Sequence, residues 1–386
     1  MKASWSNPMR MTIAHLSHLS DRAHCPRLVI KVGSALLVGA DGPRQAWLET
    51  LVAEIAAAQA RGQQVIVVSS GAIALGARRL GLGKGGRASL ADAQAAAAVG
   101  QIALSGLWAQ LLEAHGLTAA QLLLTLEDLE DRRRYLNATA TLTTLLDAGA
   151  VPIINENDSV ATQEIRFGDN DRLAARVAQA AKAHAVLLLS DVDGLYDRNP
   201  REVGARLLPE VKRITDEVRA MASDGSCSGM GSGGMTSKLQ AAEIATRAGI
   251  ALAIFNGGHD APISRALDGG IGTLFLPSGK ADARKAWLGG RLRLKGALVV
   301  DAGAAKAVRG GGSLLAAGMT KVEGAFHRGD AVAVRDAAGA VVAHGLSEYD
   351  AGECVKLIGQ HSRDHEALLG YAPRSAIVHR DQLVLL

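Results

Sequence analysis

The sequence predicts an α/β protein: an open, mostly parallel sheet sandwiched by helices, followed by a small C-terminal β-rich domain resembling a barrel. Three observations carry this prediction. Nearly all-apolar segments of strand length recur at RLVIKV, QQVIVVS, AVPIIN, AVLLLS and IALAIFN, as in strands covered on both faces. Stretches of helical period separate them, which implies right-handed crossovers between parallel strands. After about Pro277 the rhythm changes to short strand patterns split by glycine turns.

In chain order, residues 1–24 mix His, Ser, Asp and Arg without an apolar core, so they are no secretory signal and are expected to form a disordered extension. Met9 and Met11 offer alternative starts. Residues 27–38 read as a buried strand running into a glycine turn. Gln45 to Arg61 reads as a helix with Leu48, Leu51, Val52 and Ile55 on one stripe. The strand–turn–helix unit then repeats to residue 276, giving a catalytic-sized domain over 25–276. Residues 277–296 are basic and glycine-rich, a linker. Residues 297–374 form the β-rich domain and 375–386 a terminal strand or tail.

Composition narrows the function. The chain has 386 residues, 48% hydrophobic and 21% charged, a globular balance that leaves room for two or three domains. Aromatic residues at 3% are too few for base-stacking platforms, which disfavours nucleic-acid binding. A net charge of +4 suits an anionic substrate rather than a DNA duplex. Cys25, Cys227 and Cys354 have no metal-ligand spacing and read as reduced thiols of a cytoplasmic protein. No uninterrupted apolar run reaches the roughly 18 residues a membrane span needs.

In open α/β sheets ligands sit beyond the carboxyl ends of the strands, where every polar cluster of this sequence falls. Lys31 lies inside an apolar strand just ahead of Gly33 and Ser34, close enough to reach a phosphate; a snorkelling edge lysine is the competing reading. The run SGMGSGGMTSK frees backbone N–H groups to converge on an anion at a helix start, with Lys238 adding charge; a solvated loop is the bland alternative. It lacks the strand-first context of a dinucleotide fingerprint, as does the run Gly81, Gly83 and Gly86, and no Walker A sequence occurs. Asn155–Asp158 and Gly168–Asp171 crowd short polar side chains beyond what capping requires, although Asn170 or Asp171 suits a helix cap. Ser190, Asp191 and Asp193 end a strand where a ribose or a plain turn would fit. His184, His259 and His327 lack metal-like partners, and no nucleophile elbow occurs.

These segments, IKVGS, VSSGAIALG, INENDSVAT, FGDND, LLLSDVDGLYDRNP and GMGSGGMTSKLQAA, together resemble the amino acid kinase family, in the family's order and over most of residues 27–276. NEND followed by GDND is the sharper sign, matching the branch that phosphorylates glutamate. The resemblance implies the amino acid kinase fold and ATP-dependent phosphorylation of the γ-carboxylate of L-glutamate, opening proline biosynthesis, with Mg²⁺ bridging the ATP phosphates. It assigns catalysis to Lys31 and Lys238, with Asp169 holding the two lysines. It assigns glutamate binding to Ser70, Asp158, Asn170 and Asn155. ATP binding falls to Lys31, Ser190, Asp191, Ser232, Gly233, Gly234, Met235, Thr236, Ser237 and Lys238; no metal ligand is assigned. It further implies a homo-oligomer, proline as feedback inhibitor, and a functional link to glutamate-5-semialdehyde dehydrogenase. Kinases of acetylglutamate, aspartate or UMP are the nearest alternatives. Residues 297–374 resemble a PUA domain. Such domains elsewhere bind RNA, but 9 Lys/Arg against 10 Asp/Glu over 297–386 gives RNA little electrostatic footing here.

Overall fold

β1 (Arg27–Val32) takes the centre of an eight-stranded sheet because five of its six residues are apolar or shielded enough to be buried on both faces. A computed structural model describes residues 11–39, 41–160, 169–222, 234–277, 294–371 and 374–385 of the chain. It divides into two units, residues 1–130 with 137–279, and residues 131–136 with 280–386.

In the first unit β1 is joined by β2 (Gln64–Ser69), β3 (Ala119–Leu124), β4 (Val151–Glu156), β5 (Ala185–Ser190), β6 (Glu210–Val211), β7 (Ala251–Asn256) and β8 (Thr273–Phe275). Their order is β3-β4-β2-β1-β5-β7-β8-β6, and every pair is parallel except β7–β8. The expected parallel sheet is present. The sequence reading missed its two edges, β3 and β6, and the three-residue β8 beside β6, which are short or half-exposed and so lack the solid apolar run of the centre.

The helices that position the site are α1 (Gln45–Ala60), α2 (Ala72–Leu80), α3 (Leu90–Glu113), α4 (Arg132–Asp147), α5 (Asp169–Ala180), α6 (Gly234–Arg247) and α7 (Pro262–Gly269). Leu28, Ile30 and Val32 of β1 share a core with Leu48 and Leu51 of α1 and Leu104, Trp108 and Leu112 of α3. Strand alternation therefore turns Val29 and Lys31 to the opposite face, where α5 packs on β1. α3 is the one described helix long and apolar enough to cross a bilayer, and it is a core helix: Leu104, Trp108 and Leu112 are fully buried.

α2 and α3 approach unusually closely. A Cβ on Gly76 would lie 1.8 Å from the Ala96 carbonyl oxygen, and one on Gly100 would lie 1.8 Å from that of Ala72. Glycine at both positions is what lets the two backbones touch.

One boundary differs from expectation. Residues 11–24 are not loose: Leu16–Ser20 forms a 3₁₀ turn, and Ile13, Leu16 and Leu19 enter the core around β1. The Gln63 amide pins this segment, donating to the Leu19 carbonyl at 2.9 Å and the Cys25 carbonyl at 2.8 Å. Residues 278–293, most of the expected linker, lie outside the described residues.

The second unit is β-rich as expected, with β9 (Gly296–Val300), α8 (Ala302–Arg309), β10 (Leu314–Leu315), β11 (Met319–Gly324), β12 (Ala331–Arg335), β13 (Val341–Leu346), α9 (Ala351–Leu357), β14 (Ala376–Val378) and β15 (Leu383–Leu385). Five strands form one sheet in the order β11-β9-β12-β13-β15, and β10 pairs β14. The C-terminal stretch is thus no free tail: Ile377, Val378 and Leu383 are core residues of this unit.

Candidate functional site

The carboxyl ends of β1, β2, β4, β5 and β7 line up at one edge of the sheet, and each delivers polar groups. Lys31 is the penultimate residue of β1, its side chain nearly buried. Its ammonium meets the Asp171 carboxylate at 2.6 Å. Lys238, in the second turn of α6, reaches the other oxygen of the same carboxylate at 3.4 Å, and the Ser237 hydroxyl donates to that oxygen at 3.0 Å. Lys31 and Lys238, distant in sequence, therefore share one anchor. Burial pushes the Asp171 carboxyl upward, but the two ammonium groups and the Ser237 hydroxyl outweigh it and hold the group down at about 2. It is ionised at any physiological pH.

The bridging carboxylate is Asp171, which the sequence suggested only as a helix cap. The bridging role was expected of Asp169, whose side chain lies outside the described residues. Helix α5 begins at Asp169, so Asp171 lies in its first turn on the face toward β1.

Beside this trio lies a hydrogen-bonded chain. The Asn170 amide donates to the Ser70 hydroxyl at 2.7 Å and to the Asn155 side-chain oxygen at 3.2 Å. The Asn155 amide donates in turn to the Gln101 side-chain oxygen at 2.9 Å. Ser70 is held by the turn after β2, where Gly71 has φ +115°, a conformation that favours glycine. The neighbouring Ser69 hydroxyl accepts from the Trp108 indole at 2.9 Å. Gln101 had no signal in the sequence, being one amide in an alanine-rich helix. Asp158 lies further along the loop after β4, lining a cavity of about 300 Å³ with Gln101, Ile102, Gln121, Glu156 and Asn157. Arg87 faces Asp158 electrostatically, and burial outweighs that attraction, lowering the guanidinium below its ordinary value. Arg87, too, was missed by the sequence reading.

On the other side of β1, the buried Ser190 ends β5 and its hydroxyl donates to the Asp191 carboxylate at 3.2 Å. Asp193 is tied twice, by the Asn256 amide at 3.1 Å and the Tyr196 hydroxyl at 3.1 Å. Gly234, Met235, Thr236 and Ser237 open α6, so their backbone N–H groups gather at its first turn. Ser232 and Gly233 lie outside the described residues. Among the described residues no three His, Cys, Asp or Glu gather as a metal site.

This arrangement can hold a polyanion against two cations at a helix N-terminus, next to amide and hydroxyl groups suited to a small polar acceptor. The sequence model of the amino acid kinase family matches residues 26–256, and that of the PUA domain matches residues 296–369. Glutamate 5-kinase of Novosphingobium aromaticivorans is 70% identical over 377 residues, covering 97% of this chain and 100% of that protein. The glutamate 5-kinase of Sphingopyxis alaskensis is 62% identical over 94% of this chain and 98% of its own length. That of Zymomonas mobilis is 54% identical over 94% and 92%.

Proposed function

The chain belongs to the amino acid kinase family, within its glutamate 5-kinases, and from that premise we propose that it transfers the γ-phosphoryl group of ATP to the side-chain carboxylate of L-glutamate, the entry reaction of proline biosynthesis. The observation that carries this reading is the pair of lysines, 31 and 238, gathered on the one buried Asp171 carboxylate at the carboxyl edge of the sheet.

A carboxylate is already a deprotonated nucleophile at neutral pH, so the reaction asks for no general base. The protein supplies alignment and charge. Lys31 and Lys238 neutralise the charge that builds on the transferring phosphoryl, and Asp171 keeps both ammonium groups in place between turnovers. Ser70, Asn170, Asn155 and Asp158 hold glutamate, while Ser190, Asp191 and the first turn of α6 hold the nucleotide. Mg²⁺ would come as the counter-ion of ATP and would supply further positive charge beside that of Lys31 and Lys238. The product acyl phosphate is labile and calls for a reductase that accepts it promptly.

Incubation with glutamate, ATP, Mg²⁺ and hydroxylamine tests the reading, because an acyl phosphate is trapped as its hydroxamate. ADP release with acetylglutamate, aspartate or UMP, and no hydroxamate from glutamate, would overturn it.

A further inference from the structure

We propose that Gln101 is a positioning residue that sets which polar atom of the Asn170 amide the acceptor substrate meets, so that the site selects acceptors carrying an ammonium group. The proposal deepens the reading above and rests on it.

An amide side chain has two N–H donors and one carbonyl oxygen. Both Asn170 protons have acceptors, Ser70 Oγ at 2.7 Å and Asn155 Oδ1 at 3.2 Å. Its remaining polar atom, Oδ1, is buried and has no partner among the described residues. A buried acceptor left unmatched is costly, so this oxygen is the atom a ligand's donor would satisfy. Neither nearby lysine donates to it: both ammonium groups lean on Asp171, and Asn170 Oδ1 stays unmatched. The α-ammonium of an amino acid is that donor.

The Asn170 amide keeps this orientation only while Asn155 turns its oxygen toward it. Asn155 does so because its own NH₂ donates to Gln101 Oε1 at 2.9 Å. Were Asn155 reversed, two NH₂ groups would face each other, and Asn170 would have to turn and present N–H groups to the substrate. Gln101 is well placed to stop this. Its backbone is fixed next to Gly100, where α3 is seated against α2, and its Oε1, accepting from Asn155 at 2.9 Å, is the group that opposes the reversal.

The test compares L-glutamate with glutarate, the same diacid without the ammonium group, by hydroxamate formation in wild type, Gln101→Met and Gln101→Glu. Methionine matches the length of glutamine but cannot accept the Asn155 proton; a carboxylate can only accept. The ratio of kcat/KM for glutamate over glutarate should fall about tenfold in Q101M, the scale of one net hydrogen bond. The loss should appear in the glutamate KM, with the ATP KM unchanged, and Q101E should keep the wild-type ratio or exceed it. A folded Q101M with the wild-type ratio, or equal losses for both acids with a raised ATP KM, would overturn the proposal. If Q101M does not fold, a Q101E ratio tenfold below wild type overturns it instead, and a retained ratio supports it. Wild-type protein that forms no hydroxamate from glutamate sinks the phosphoryl-transfer reading and this proposal together, a result distinct from active enzyme indifferent to Gln101.

Discussion

Lys31 and Asp171 meet at 2.6 Å across the face of the sheet that α5 covers, a cation from the central strand paired with an anion from the first turn of a helix. Asp171 also holds Lys238, so it should behave as an organiser rather than a reactant. Asp171→Asn removes the charge without changing the shape. It should lower kcat by on the order of a hundredfold, as loss of a preorganised charge does, and steady-state kinetics on a variant with wild-type circular dichroism would check it. Near-normal turnover in that variant would mean the two lysines do not need their anchor.

The same carboxylate sets a pH dependence of stability. Its folded-state value of about 2 lies below the ordinary 3.8, so the folded state favours the ionised form. The contribution is therefore complete above about pH 4 and is lost as pH falls toward 2, a loss of about 2 kcal/mol. Urea unfolding of wild type and Asp171→Asn between pH 7 and 3 should show the gap between them narrowing only in the acid limb. A gap that stays constant to pH 3 and below would contradict the pairing.

Lys238→Met and Lys31→Met should each depress kcat by about a hundredfold or more while leaving the glutamate KM within a few-fold of wild type. Asp158→Ala should do the reverse, raising the glutamate KM with little change in the ATP KM. Initial-rate kinetics in both substrates separates these outcomes, and an effect of Asp158→Ala on ATP alone would move that residue out of the glutamate site.

Gly76→Ala and Gly100→Ala should each destabilise the protein by about 1–3 kcal/mol or more, since the added methyl meets a backbone carbonyl at 1.8 Å and a backbone cannot swing aside like a side chain. Thermal or urea unfolding measures this directly. Wild-type stability in both variants would show that the helices separate at little cost.

Burial raises the thiols of Cys25 and Cys354 to about 12, so neither is a thiolate at pH 8. Peptide mapping after brief alkylation of native protein should find both unlabelled, and both labelled once the protein is unfolded.

Much of this site was legible in the sequence because charge in an apolar strand is rare. Lys31 stood out for that reason, and Lys238 because a glycine run led into its helix. The choice between Asp169 and Asp171 was not legible, since three short polar residues in a row do not reveal where the helix begins. Gln101 and Arg87 left no trace at all: Gln101 meets Asn155, and Arg87 faces Asp158, across positions remote in sequence. Residues 11–24 misled because Ile13, Leu16 and Leu19 are spaced among histidines and serines that dominate the composition. The edge strands were missed because an edge is half-solvated and its sequence is correspondingly mixed.

The central place of β1 has a consequence for biosynthesis. Its neighbour β5 pairs Leu28 with Ala185, so the first strand to leave the ribosome waits for more than a hundred and fifty further residues before that flank is covered. At typical translation speeds the wait is roughly ten to thirty seconds. Throughout that interval an apolar ribbon is open to whatever it meets, and holding chaperones have time to engage it. Stalled nascent chains ending before residue 185 should stay protease-sensitive, and chains that carry β5 clear of the exit tunnel should be the first to resist.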